Sequence, residues 1–308
     1  MFTEAQQFAM VQTELDSVFY QEFNYDDSNP VMTTSRNEMI FRQTTTDRAA
    51  DIEEIYKGVG LYSIIGETQT VPTSVPKVAN KITTYIKDFA QSVELSKNLF
   101  DDNLHGIWAR TIADMALKGR VAQDQNAFKI FRNATTTTLT ADGVALGSAS
   151  HPLLGGGTTS NLLTTSALSP TTINNAIIKL AEQVDQAGVI LGQQPAVLLV
   201  PPALIKQALE YTESALIADV ATNNINVYRS AYGFRVYSSP YLGTAAGGLD
   251  TTWFLLGRNH GIKRIVRQGI ETALRPWQMS NNRTYLYQAN FREEVVAVDY
   301  IGTIVAQA

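Results

Sequence analysis

Residues able to do chemistry are few in this chain of 308. It has no cysteine and three histidines, His105, His151 and His260, far apart in sequence. Without cysteine there is no disulfide framework, thiolate metal site or cysteine nucleophile. Histidines so separated have no metal-ligand spacing in their favour, and neither a metal nor another cofactor is expected. His151-Pro152 precedes Gly155-Gly156-Gly157, which loosely resembles an oxyanion loop of the His-Gly-Gly-Gly kind. Such a loop works with a Gly-x-Ser-x-Gly nucleophile elbow, and none occurs here. No Gly-x-x-x-x-Gly-Lys-Ser/Thr loop is present, and Gly58-Val59-Gly60 lacks the third glycine and following helix of a dinucleotide fingerprint. An enzyme is therefore not expected, and a hydrolase using the loop around His151 stays only as the weakest alternative.

Two carboxylate pairs stand out, Asp101-Asp102 and Glu293-Glu294. The first, followed by Asn103, reads as the acidic cap of a helix. The second falls in a strand, where adjacent side chains face opposite ways and cannot serve one site. Arg258, Lys263, Arg264, Arg267 and Arg275 form a basic stretch. It is open to three readings: a solvated strand edge, a contact with nucleic acid, or a contact with an acidic neighbour such as Asp51-Ile52-Glu53-Glu54. Trp108, Trp253 and Trp277 read as core or interface anchors.

The chain around these groups carries a net charge of -5, with 17% charged and 44% hydrophobic residues. The charged fraction is below the usual ~25%, and threonine, about one residue in ten, fills the gap. A weakly charged polar surface suits association, because interface cores are depleted of charge. The acidic balance argues against a general duplex-binding surface. The start has no signal-peptide pattern, and no run of 18 apolar residues predicts a membrane span.

The elements form an α+β series without a βαβ repeat. Phe8, Val11, Leu15, Val18 and Phe19 predict a short amphipathic helix, and residues 21–50 read as an extended polar arm. Leu61-Tyr62-Ser63-Ile64-Ile65 is a strand candidate. From Lys81 an alternating pattern sets Ile82, Thr84 and Ile86 on one side and Thr83, Tyr85, Phe89, Val93 and Leu95 largely on the other. It predicts a long two-stranded arm, marginal alone in water and in need of something to lie on. Residues 102–132 predict a helix capped by Asp101-Asp102-Asn103, with Leu104, Trp108, Ile112 and Met115 as its buried stripe and Phe128 and Phe131 resuming it. Its length would be roughly 44 Å at 1.5 Å per residue. Ser169-Pro170 opens a second helix with Ile173, Ile177, Leu180 and Val184 inside and Gly188 closing it. Residues 196–200, 234–237, 253–256, 262–267 and 284–305 read as strands, the last with a bend near Glu293 or Gly302.

In this order the pieces resemble the major capsid proteins of tailed bacteriophages, the Hong Kong 97-type fold, and within them the Mu-like major head subunit group. The residues that carry the likeness are Asp101-Asp102-Asn103-Leu104-His105-Gly106-Ile107, Ala127-Phe128-Lys129-Ile130, Asp142-Gly143, Leu146, Ser150-His151-Pro152-Leu153 and Leu198-Leu199-Val200-Pro201-Pro202-Ala203-Leu204. The resemblance covers about residues 55–305. It implies an N-terminal arm at 1–55, an E-loop at 56–92 lying on a neighbouring subunit, and a peripheral domain with a spine helix at 93–133. An axial domain would follow at 134–250, with peripheral return strands at 251–308. Expected interface residues are Tyr56, Lys57, Tyr62, Pro72, Pro76, Tyr85, Arg264 and Arg267. Asp101, Asp102, Trp108 and Ile112 would cap and pack the spine helix.

The implied function is a structural shell of pentamers and hexamers around double-stranded DNA. The expected partners are further copies of the chain, separate scaffold, decoration and portal proteins, and DNA held by weak nonspecific contact, with no membrane. Assembly in the host cytoplasm and residence in the virion follow from the same likeness. No long scaffolding segment precedes the arm, so scaffolding is expected to be separate or already removed. Lys57, Lys77 and Lys81 lie in the E-loop, but no partner for a covalent cross-link stands out and none is expected. The alternative shell is an encapsulin-like compartment around a protein cargo.

Overall fold

The computed structural model describes residues 4–24, 29, 31–59, 61–73, 75, 77–98, 106–214, 226–276 and 283–307. In chain order the elements are α1 (Glu4–Phe23), β1 (Arg42–Thr45), β2 (Ala50–Lys57), β3 (Lys77–Tyr85), β4 (Lys87–Ser96), α2 (Ile107–Arg132), β5 (His151–Pro152), β6 (Thr158–Thr159) and β7 (Leu162–Thr164). Then come α3 (Pro170–Ala181), β8 (Pro195–Val200), α4 (Ile205–Glu213), β9 (Arg235–Ser238), β10 (Trp253–Gly257), β11 (Ile262–Arg275), β12 (Thr284–Ala297) and β13 (Thr303–Gln307). Two main sheets result, one in the order β1-β11-β12-β4 and the other β7-β13-β10-β8-β9.

The second sheet is covered on both faces, which is why its strands read as unbroken apolar runs. Side chains alternate across a strand. Val197 and Leu199, Phe254 and Leu256, and Val305 therefore enter the core shared with α2. Leu198 and Val200, Trp253 and Leu255, and Ile304 and Ala306 enter a separate core under α3 and α4. The sharp start of α3 follows from a capping box. The Ser169 hydroxyl accepts from the Thr172 N–H at 3.2 Å, and the Thr172 hydroxyl accepts from the Ser169 N–H at 2.9 Å. The helix ends at Ala181, so Val184 and Gly188 lie beyond it, and Gly188, at φ 83°, instead follows a turn built on Asp185.

The expected long helix is α2, of 26 residues, about 39 Å. Its start differs from expectation. Gly106 precedes it at φ 60° in the left-handed region, with no side-chain cap. The described helix therefore begins at Ile107, without an acidic residue in its first turn. Asp101 and Asp102 lie outside the described residues. Trp108 and Ile112 do pack as the stripe predicts, with Met115, Leu15, Phe19 and Tyr287 in one core. Phe128 and Phe131 extend the stripe into the core of the second sheet. Gly119 faces the Phe23 ring, where a Cβ would lie 3.6 Å away in ordinary contact.

Two expectations about the N-terminal half need correction. Residues 31–45 are fastened to the core. Ile40 and Phe41 are fully buried, and Phe41 meets Phe128 edge-on at 5.3 Å. β1 then pairs in parallel with β11, and Met32 bridges Ser238. The reason is local: the apolar pair Ile40-Phe41 within the polar stretch enters the core and anchors it. α1 is fastened too, because Asp16 Oδ1 accepts from Thr272 Oγ1 at 2.7 Å and from the Tyr287 hydroxyl at 2.8 Å. Secondly, no strand forms at 61–65. The arm is the hairpin β2–β3, and the alternating run divides at Ile86 because β4 leaves the arm to pair with β12. Phe89 stacks on Phe291 at 4.8 Å, while Lys87 and Asp88 pair with Glu294 and Arg292.

At the C-terminal end, the break in 284–305 falls at 298–302, with Gly302 at φ 77°. β12 continues through Glu293 without one.

Trp108 is 6% exposed in the core where α1, α2 and the long hairpin meet. Trp108→Ala is expected to cost about 3–5 kcal/mol and to abolish assembly. Urea unfolding and electron microscopy check it, and particles of normal melting temperature would refute it.

Candidate intersubunit surfaces

The arm has a fixed root and an uncovered tip. At the root, the inward face of β2 and β3 rests on the four-stranded sheet. Ile55, Ile82 and Ile86 pack on Ile265, Val296 and Val298, as the alternation of Ile82, Thr84 and Ile86 predicts. Glu53 meets Lys263 Nζ at 2.6 Å, each about a quarter exposed. Such a pair contributes ~0–1 kcal/mol, whereas fully burying one isoleucine contributes ~1.5–3 kcal/mol, so three half-buried isoleucines together outweigh it and decide where the arm stands. One acid of the run 51–54, Glu53, thus meets one cation of the basic stretch, Lys263, within the chain itself.

Beyond the root the arm makes little contact with its own chain. Tyr62 and Ile64 are fully exposed at 104% and 101%, and Val59, Leu61, Val71 and Val75 are also exposed. Of the residues expected at an interface, Tyr56, Pro72 and Tyr85 are exposed and Lys57 is half-buried. Tyr56 donates its hydroxyl to Glu54 at 2.9 Å. Pro76 lies outside the described residues. Arg267 is half-buried at a register shift between Val266 and Gln268.

Arg264 departs from this group. It is buried, and its Nε and Nη2 donate to Glu293 Oε2 at 3.1 and 2.5 Å. A guanidinium so held is an internal partner, which removes it from the exposed interface set. Gln123 Nε2 donates to the same oxygen at 3.4 Å. Next to this pair, Asp124 accepts from the Ser35 N–H at 2.7 Å, and Arg36 lies over the Phe23 ring. Burial raises the carboxyls of Glu293 and Asp124, and the nearby arginines oppose it. Burial likewise lowers the Arg36 guanidinium, with Arg264 adding repulsion. Sequence reasoning missed Asp124 and Arg36. The signal was there, since Gln123-Asp124 interrupts the apolar stripe of α2 one turn before Phe128.

His151, candidate for chemistry, is a structural post. It is fully buried. Its Nδ1 lies 2.7 Å from Asp142 Oδ2 and its Nε2 3.1 Å from Asn161 Oδ1. Tyr300 stacks on the ring at 4.1 Å. Asn161 Nδ2 donates to the carbonyls of Leu146 and Thr303 at 2.6 and 3.1 Å. Burial alone would raise the Asp142 carboxyl, but hydrogen bonds from His151, Thr140 and the Val144 N–H outweigh it and hold it low. Among the described residues no hydroxyl is hydrogen-bonded to either ring nitrogen. The N–H groups of Gly155 and Gly156 are already given to the Gln186 and Leu153 carbonyls. The arrangement joins loops 140–161 to β13 and lacks the open base, nucleophile and free donors that acyl transfer needs. No group of three or more acidic or histidine side chains could hold a metal ion, and no helix is long and apolar enough to cross a membrane, among the described residues.

Asp299 belongs to the same cluster. Burial pushes its carboxyl up to about 6, against hydrogen bonds from the Ile301 and Tyr300 N–H groups. A folded value above the unfolded ~3.9 means the native state holds the proton more tightly. Stability is then lost as pH rises from about 4 through about 6. Asp299→Asn is expected to gain about 1–3 kcal/mol at pH 8, with the gain shrinking as pH falls from 6 towards 4. Urea midpoints at both ends of that range check it, and a gain independent of pH would contradict it.

Comparison with known proteins bears on what these surfaces serve. A family profile described as phage capsid protein matches residues 80–306. A comparison with curated protein sequences found no match. Among solved structures, a chain of the bacteriophage PhiM1 mature capsid is 12% identical with a TM-score of 0.56, covering 92% of this chain and 90% of that one. A chain of Microbacterium phage Oxtober96 is 14% identical with a TM-score of 0.55, covering 92% and 95%. A chain of a virus-like particle from Pyrococcus furiosus is 8% identical with a TM-score of 0.54, covering 96% and 98%. Identities this low speak to fold alone, and that fold is the Hong Kong 97 type expected from the order of elements. Matched over most of its length by the family profile, the chain belongs to the phage capsid protein family and is a structural major capsid protein.

Proposed function

We propose that copies of this chain assemble as pentamers and hexamers into an icosahedral shell around the double-stranded DNA of a tailed phage. The observation that carries this reading is the arm, rooted on its own sheet and uncovered beyond it. An exposed apolar stretch of this kind marks an interaction site. Its fit to a neighbouring copy is heterologous, and heterologous contacts that close make rings. Burying Tyr62 and Ile64 alone would contribute roughly 3–6 kcal/mol, before the backbone contacts of the arm are counted.

In this reading residues 1–55 take the place of the N-terminal arm, although α1 and 31–45 are packed on the chain's own core, and 56–92 form the E-loop. Residues 93–133 and 251–308 form the peripheral domain, and 134–250 the axial domain. The hairpin β2–β3 supports an arm root near residue 50 and its return near 85. Tyr56, Lys57, Tyr62, Pro72, Pro76, Tyr85 and Arg267 meet the neighbour. Scaffold, decoration and portal proteins are the further partners, and the host cytoplasm is the place of assembly.

Electron microscopy of the purified protein, with analysis of its contents, tests the reading. Closed shells holding DNA are expected, while shells holding an enzyme cargo would replace it with the encapsulin-like alternative. Deleting residues 69–75 should leave a subunit with normal circular dichroism that assembles poorly. Fully stable particles from that deletion would remove the arm from its assigned role.

A further inference from the structure

A cleft of about 380 Å³ opens where β9 begins, beside the start of β1 and the turn from β10 to β11. Arg42, Arg235 and Arg258 line it, with Glu38, Tyr232 and His260. Several other cations of this acidic chain meet an acid. Lys263 meets Glu53, Arg264 meets Glu293, and Arg292 meets Asp88. Among the described residues Arg42, Arg235 and Arg258 make no ion pair. Glu38 is the one acid of the lining and leaves an excess of two positive charges.

The walls are set in place. Arg42 Nη2 donates to the Arg258 carbonyl at 2.8 Å and to Asn259 Oδ1 at 3.1 Å, which holds its guanidinium across the turn. The Arg258 N–H donates to the Gln194 carbonyl at 3.1 Å. His260 contacts the Met39 carbonyl through Nε2 at 3.0 Å and accepts from the Ile262 N–H. Burial lowers His260 to about 4, so it is neutral near pH 7 and the charge of the cleft is the arginines'.

Like charges gathered without partners are unfavourable until an anion enters. Guanidinium forks match phosphate oxygens in pairs, and one carboxylate would leave the cleft still positive. We propose that this cleft binds backbone phosphates of nucleic acid. The proposal rests on the reading that the shell encloses DNA and assigns that contact to a place. It uses a concentrated set of arginines in a chain whose overall charge is negative, so the contact is local.

The test is fluorescence anisotropy of a labelled 20-base-pair duplex with the purified protein, over a series of salt concentrations. Arg235→Gln and Arg258→Gln should each weaken binding about threefold and flatten the salt dependence by roughly 0.9 per lost phosphate contact. Lys206→Gln, a neutralised cation on α4, should leave both unchanged. Thermal melting and electron microscopy of the variants should match the parent protein. The proposal falls if the double variant binds duplex as the parent does, or if Lys206→Gln loses as much. It also falls if variants keep duplex binding but fail to close shells, since the arginines would then hold a neighbour's carboxylate. Failure of the parent protein itself to form shells would instead fall on the function proposed above.

Discussion

One face of α2 stays buried along nearly its full length, and the rest of the structure hangs on that burial. Trp108, Ile112 and Met115 lie in a core with α1 and the far end of the β11–β12 hairpin. Ala127, Phe128 and Phe131 lie in a second core with the five-stranded sheet. An isolated helix draws little stability from propensity alone and much from packing an apolar face. Here one rigid rod supplies that face to two cores, so neither can shift without the other. Residues 31–45 strengthen the link by contacting both sheets from one short stretch.

Charge is handled differently inside and outside. The Arg264–Glu293 pair sits under α2 with Asp124 and Arg36 beside it. A buried pair often contributes little net stability, because desolvation offsets attraction, but losing one partner costs ~3–5 kcal/mol. Such a cluster therefore opposes misplacement of α2 against β11 and β12 more than it strengthens the correct placement. The His151 cluster acts in the same way for the loops around β13, where Asn161 ties two carbonyls and the imidazole together. Both are polar groups spent on position. The outward-facing features include exposed apolar surface at the arm and three arginines without ion pairs around the cleft.

A shell subunit needs that division. Surface meant for a neighbour has to stay uncovered in the single chain, yet held at a defined angle. Apolar packing at Ile55, Ile82 and Ile86 does the holding. Past that root, residues such as Tyr62 and Ile64 have no internal partner to satisfy.

What the sequence by itself determined was periodic and local. The stripe of α2, the Ser169-Pro170 start of α3, the buried runs of β8 and β10 and the alternation of β3 all follow from side-chain spacing, which depends on helix and strand geometry. The order of these pieces was enough to suggest the family, and the dearth of nucleophiles argued against catalysis. Only the tertiary structure decided which alternating residue faces which core, and that Ile40 and Phe41 anchor the supposed arm. It also turned Arg264 inward and left Arg42, Arg235 and Arg258 around one cleft. Those outcomes depend on partners about 30 to 220 residues away in sequence, and no local spacing records a contact made across that distance.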